Sequence, residues 1–146
     1  MDIRHVAPGF AVAPQIQPGD LPDCAARGYA ALICNRPDGE ETGQPDADTM
    51  REAAQAVGIA FHHIPVSGGE FPAAAIDAFH AVRKGTQGPV LAFCRTGTRS
   101  ITLETLANPD SLDRLTLLSR AQGAGYDLSG IAGRIADTTE HRERTP

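Results

Sequence analysis

Short apolar blocks alternate along this chain with longer stretches whose apolar residues return every three or four positions. The blocks are Phe10–Ala13 and residues 30–34, 59–66 and 89–93, of strand length and mostly bounded by Gly, Pro, Asn or Ser. The stretches between them read as helices. Asp20 opens one through Leu21, Cys24 and Ala25 that Gly28 closes. Thr49-Met50-Arg51-Glu52 has capping-box form, and Met50, Ala53, Ala54 and Val57 then share a face that ends at Gly58. Residues 71–84 place Ala75, Phe79 and Val82 inward after the Ser67-Gly68-Gly69 break. A short helix follows Ser100 to Ala107, where Asn108-Pro109 stops it. Another starts at Asp110 with Leu112 and Leu115 on one face, and Leu128, Ile131 and Ile135 mark a last packing helix.

Strands alternating with helices imply right-handed crossovers and an α/β fold. The expected architecture is three-layered, with a central parallel sheet of about four to five strands flanked by helices. Residues 1–136 form a single domain by length, and 137–146 are a polar, aperiodic tail expected to be disordered. Ligands of such sheets bind beyond the carboxyl ends of the strands. Cys94 lies at one of those ends.

The chemistry gathers there. Cys94-Arg95-Thr96-Gly97-Thr98-Arg99-Ser100 follows directly on the apolar block at 89–93. A loop running from a strand into a helix turns its backbone N–H groups inward, and the helix N-terminus adds positive potential. Gly97 lets the backbone curl, Arg99 offers a bidentate fork, and Ser100 is placed to cap the helix. The loop is therefore read as an anion receptor around a nucleophilic sulfur, with Cys94 and Arg99 catalytic and Arg95, Thr96, Gly97, Thr98 and Ser100 lining it. A plain core cysteine needs none of these neighbours.

Composition narrows the partners. With 41% apolar and 21% charged residues the chain is an ordinary globule, and a net charge of −5 without a basic stripe argues against nucleic acid. There is no leader-like start and no apolar run near membrane length. Cys24, Cys34 and Cys94 have no metal-type spacing, so free thiols in a reducing, cytoplasmic setting are expected. Cys34 also ends a strand; a core position is the first reading and a resolving thiol for Cys94 the second. His62 and His63 are adjacent on a strand and face opposite ways, so neither a metal nor another cofactor is expected.

Cys-Arg-x-Gly-x-Arg-Ser resembles the active-site loop of rhodanese sulfurtransferases. The surrounding elements resemble the beta-lactamase hydrolase-like sulfurtransferase family, over roughly Val6 to Ile135. They are Gln15, Gly28-Tyr29, Asn35-Arg36-Pro37-Asp38-Gly39-Glu40, Ile64-Pro65-Val66 and Ala124-Gly125-Tyr126-Asp127-Leu128. The resemblance implies a protein tyrosine phosphatase-like fold and leaves two chemistries to weigh, sulfur transfer and phosphate ester hydrolysis. Tyrosine phosphatases place five residues between Cys and Arg, whereas four separate Cys94 from Arg99. Expelling a phenolate, whose conjugate acid has a pKa of about 10, requires a general acid. Phosphatases carry that aspartate after a Pro upstream, where this chain has Val66. Phe93 also stands where phosphatases usually have His.

The resulting expectation is a sulfurtransferase moving sulfane sulfur from a small anion such as thiosulfate to a thiophilic acceptor through a Cys94 persulfide. The alternatives are a tyrosine or dual-specificity-type phosphatase, with Glu70 as substitute acid, and a non-catalytic sulfur carrier or anion-binding module. Arg36, Asp38 and Glu40 read either as a turn or as an ion-pair cluster buttressing the loop, with Arg36 the best placed. The resemblance also implies a thiol or protein acceptor. A metallo-beta-lactamase-like persulfide-oxidising enzyme is expected as a separate chain, since such a domain is not encoded here.

Overall fold

The structure is a computed structural model that describes residues 1–135; the tail read from the sequence lies outside them. Five strands, β1 (Arg4–Ala7), β2 (Phe10–Ala13), β3 (Ala31–Cys34), β4 (Ala60–His63) and β5 (Val90–Phe93), form one sheet in the order β1-β2-β5-β3-β4. Strands β2, β5, β3 and β4 run parallel, and β1 is antiparallel at the edge. Pro8-Gly9 makes the hairpin turn between β1 and β2, with Gly9 at φ +79°. Strand β1 escapes a reading by pattern because it is a half-exposed edge strand with a register shift, so no alternation marks it.

Period-two alternation assigns the sheet residues to two cores. Ala11, Ala13, Leu32, Leu91 and Phe93 pack against Leu21 and Cys24 of α1 (Leu21–Ala26) and Met50 and Ala54 of α2 (Ala47–Ala56). Phe10, Val12, Ala31, Ile33, Val90 and Ala92 pack against Phe79 of α3 (Ala73–Gly85), Ile101 and Leu103 of α4 (Thr98–Ala107) and Ala121 of α5 (Arg114–Gly123). The expected three layers are present. β5 lies between β2 and β3 and is wholly buried, so the residue leaving its carboxyl end emerges at the switch in strand order.

Several boundaries differ from the sequence reading, each for a local reason. Helix α2 starts at Ala47, because Asp46 rather than Thr49 is the cap and its carboxylate accepts from Thr49 N–H. Strand β4 stops at His63 since it is the sheet edge, and for the same reason His62 and His63 are both half-buried. Helix α3 begins at Ala73, which leaves Glu70 in the preceding turn rather than a first helical turn. Asp113, not Asp110, caps α5, and this turns Leu117 and Ala121 inward while Leu115 is 79% exposed. The last helix is a short 3-10 segment, Ser129–Arg134, although Leu128 and Ile135 are buried around it as expected.

Helix α4 is buried through Ser100–Thr105 despite four polar side chains there. Thr102 and Thr105 donate to the carbonyls of Thr98 and Ile101, and Glu104 takes a two-pronged bond from Arg83 at 2.7 and 3.0 Å. Burial pushes the Glu104 carboxyl up and the Arg83 pairing opposes it. The helix that carries Arg99 is thus locked between the sheet and α3. Phe79, fully buried and edge-on to Phe10 at 5.9 Å, anchors that layer. Phe79→Ala is expected to cost about 3–5 kcal/mol in urea unfolding, and Leu115→Ala less than about 0.5 kcal/mol.

Candidate active site

Cys94 leaves β5 completely buried, and the chain turns at once into α4. The loop is pinned at several points. Gln15 N–H donates to Arg95 C=O at 3.2 Å, Tyr126 Oη donates to Thr96 C=O at 2.8 Å, and Ser100 Oγ donates to Asn35 Oδ1 at 2.8 Å. Asn35 is itself fixed, since its N–H reaches Phe93 C=O and its side-chain amide donates to Ile64 C=O. Gly97 takes φ +93° and donates its N–H to Cys94 Sγ at 3.1 Å. Thr96 and Thr98 hydroxyls bond each other at 3.0 Å on the outer rim. Gly97 is the N-cap of α4. Ser100 therefore does not cap the helix, as its place in the sequence indicated, but sits inside the first turn as a strut to Asn35.

The glycine is required twice over. A Cβ at Gly97 would lie 2.2 Å from Tyr126 Oη, and the backbone is in the left-handed region. Tyr126, Asn35 and Gln15 fall in stretches that marked the family resemblance, but spacing alone assigned them no role. Each contacts the loop through a backbone or buried partner, which no periodicity reveals.

Arg99 is held by its outer edge. Its Nη1 and Nη2 donate to the two Glu40 carboxylate oxygens, both at 2.8 Å, and Nη1 also reaches Val66 C=O at 3.0 Å. Glu40 receives a second guanidinium, Arg36 Nε at 2.9 Å. Arg36 is 2% exposed and spends its remaining donors on Gln15 Oε1 and Glu41. The Arg99 hydrogen bond, aided by Arg36, holds the Glu40 carboxyl down at about 2. Of the two readings of this stretch, the turn falls at Asp38-Gly39 and Arg36 and Glu40 form the ion-pair buttress. Asp38 takes a different part and accepts from Ala47 N–H at the start of α2.

Arg36, Glu40, Glu41, Arg95 and Arg99 line an open cleft of about 350 Å³ over the loop. Arg95 is exposed and, among the described residues, has no acidic partner. Glu70 is exposed in the turn after Val66, and its carboxylate makes no hydrogen bond among the described residues. Cys34 is buried beside the loop with its thiol against Arg36 C=O at 3.5 Å, and burial pushes it up to about 11. That suits a core residue better than an attacking thiol. All three cysteines are free.

A cysteine at the end of the central strand, a loop whose Gly97 N–H meets its sulfur and an arginine on the following helix fit a protein tyrosine phosphatase-like fold. Residues 2–110 match the family described as beta-lactamase hydrolase-like protein, phosphatase-like domain, and the chain belongs to that family. A beta-lactamase hydrolase-like protein of Agrobacterium fabrum is 38% identical over 119 residues, covering 80% of this chain and 28% of the relative. The chain thus spans less than a third of that relative's length. A candidate phosphatase from Neisseria meningitidis, known as a crystal structure, is 32% identical with a TM-score of 0.80, covering 92% of this chain and 96% of that one. Tk-PTP, at 19% identity and TM-score 0.68 over 98% and 95% of the two chains, shares the fold. No helix among the described residues is long and apolar enough to cross a membrane.

Two outcomes test this geometry. Gly97→Ala is expected to lower stability by about 1–3 kcal/mol from backbone strain and the displaced Tyr126, and Tyr126→Phe in the same chain should recover part of it in thermal unfolding. The paired Glu40 titrates near 2 rather than at its usual 4.5. Its ion pairs therefore add stability that is complete above pH 4.5 and is lost as the pH falls toward 2. Glu40→Gln is expected to flatten acid unfolding across that window, read by circular dichroism.

Proposed function

We propose that this domain is a sulfurtransferase that carries sulfane sulfur on Cys94. The observation that carries the reading is the company of the cysteine: a short loop with four residues before Arg99 and, among the described residues, no carboxylic acid placed to donate a proton. Val66, where tyrosine phosphatases have their aspartate, is buried and offers Arg99 its carbonyl. Glu40 is ionised between two arginines and has no proton to give near neutrality. Glu70 and Glu41 are exposed, and Glu41 is tied to Arg36.

Sulfur transfer needs no such acid. The Cys94 thiolate attacks the outer sulfur of thiosulfate, the S–S bond of the donor breaks, and its electron pair leaves with sulfite. The product is a Cys94 persulfide anion. Arg99, oriented by Glu40, supplies positive charge beside Cys94, and Arg95 adds positive charge at the rim. The Gly97 N–H and the Arg99 and Ser100 amides in the first turn of α4 cradle the terminal sulfur. An acceptor thiolate or cyanide then attacks that sulfur and releases the Cys94 thiolate. The cycle is two-step and ping-pong. On the acceptor side we propose a thiol or a partner protein, such as a metallo-beta-lactamase-like persulfide-oxidising enzyme.

The test is the intact mass after incubation with thiosulfate. One added sulfur atom is expected on the wild type and none on Cys94→Ser, and loss of sulfur with turnover when cyanide is added. Arg99→Ala is expected to raise the KM for thiosulfate at least tenfold, the value of about 1.4 kcal/mol of lost charge-assisted bonding. A wild type that takes up no sulfur overturns the reading. One that loads a single sulfur and never discharges it is a carrier.

A further inference from the structure

A second basin opens beside the cleft lined by Arg95 and Arg99. Its volume is about 460 Å³ and its walls include Gln15, Arg36, Glu41, Thr42, Gln44 and Arg95. It shares Arg36, Glu41 and Arg95 with the first cleft, so the two adjoin along that wall. The residues lining the shared wall are not equivalent. Arg36 is buried, and its Nε, Nη1 and Nη2 are all engaged by Glu40, Gln15 and Glu41. Arg99 gives its outer edge to Glu40 and belongs to the first cleft alone. Arg95 alone of the three arginines lines both spaces without a carboxylate partner among the described residues. Its backbone is fixed by the Gln15 N–H, so the root of the side chain is held at the border between them.

The lining is amide, hydroxyl and charge, with Pro45 the one apolar side chain. Gln44 donates to Pro37 C=O and its Oε1 has no partner among the described residues. A wall of this kind suits a polar chain better than an aryl ring. The unpaired guanidinium selects a negative group that lies away from the reacting sulfur.

We propose that the basin is the acceptor subsite, and that Arg95 selects low-molecular-weight thiols bearing a carboxylate. The inference rests on the sulfurtransferase reading and extends it to the second substrate. The acceptor's sulfur enters the first cleft and attacks the terminal sulfur of the Cys94 persulfide while its carboxylate pairs with Arg95 at the border. The bond that forms is between the acceptor's sulfur and the transferred sulfur, and the electron pair of the broken S–S bond returns to Cys94. The acceptor leaves as its own persulfide, with no net oxidation.

The experiment uses the protein preloaded with thiosulfate and follows discharge of the Cys94 persulfide by intact mass. Three thiols act as acceptors: 3-mercaptopropionate, 2-mercaptoethanol and cysteamine, which carry a negative, no and a positive second charge. Each rate constant is divided by that of Arg95→Gln with the same thiol, so that intrinsic thiol reactivity cancels. The ratio for 3-mercaptopropionate is expected to exceed that for 2-mercaptoethanol about fivefold, the scale of one solvent-exposed ion pair. The ratio for cysteamine falls below that for 2-mercaptoethanol, Arg95→Lys keeps the order, and added salt compresses it. Equal ratios for the three thiols overturn the subsite while leaving the sulfurtransferase reading intact. Failure of the wild type to load sulfur at all overturns that reading instead, before any acceptor is added.

Discussion

Glu40 sits between two guanidinium groups, and the organisation of the site follows from that placement. Its carboxylate takes Arg99 through a two-pronged bond on one side and Arg36 on the other. Arg36 is buried and without an anion would be a costly charge in the protein interior. Arg99 is aimed from the first turn of α4, and without Glu40 its long side chain would sample many rotamers over the cleft. One side chain from the loop after β3 thus solves both problems and ties that loop to the cysteine loop after β5. The same carboxylate is removed from proton chemistry by its ionisation at about 2. The interaction that orders the cleft also withholds an acid from it.

The rest of the fold serves to hold the two loops at one edge. β5 lies between β2 and β3, and each contributes a strut at its carboxyl end: Gln15 after β2 and Asn35 after β3. Tyr126, which follows α5, closes the third side by its hydroxyl on Thr96 C=O. The cysteine loop is therefore held through backbone carbonyls and a buried serine, not through the side chains of Arg95 and Thr98. Substitution at the rim, at Arg95 or Thr98, leaves those struts untouched.

Much of this was legible in the chain. The block before Cys94 is apolar at every position because β5 is buried on both faces, and a buried strand followed by Gly, Arg and Ser has few other readings. The alternating helices and strands gave the layers for the same reason. The misplaced helix starts share a cause: Asp46 and Asp113 are caps with an ordinary polar sequence around them, and capping depends on which carboxylate meets the free amide. Strand β1 is short, half-exposed and irregular, and so leaves no periodic trace. In the site, Arg36 and Glu40 stood out by charge and spacing. Tyr126, Asn35 and Ser100 act through single hydrogen bonds across 30 to 65 positions of sequence, which only the folded chain brings together.

The central claim is that a cysteine in a short anion loop without a proton donor is suited to sulfur and not to phosphate esters. The direct measurement is to compare, on one preparation, thiosulfate-to-cyanide turnover with hydrolysis of a phosphotyrosine peptide, whose phenolate leaving group demands an acid. The account predicts kcat/KM for sulfur transfer higher by orders of magnitude, with both activities lost in Cys94→Ser. Peptide hydrolysis that exceeds sulfur transfer by a comparable margin would contradict it.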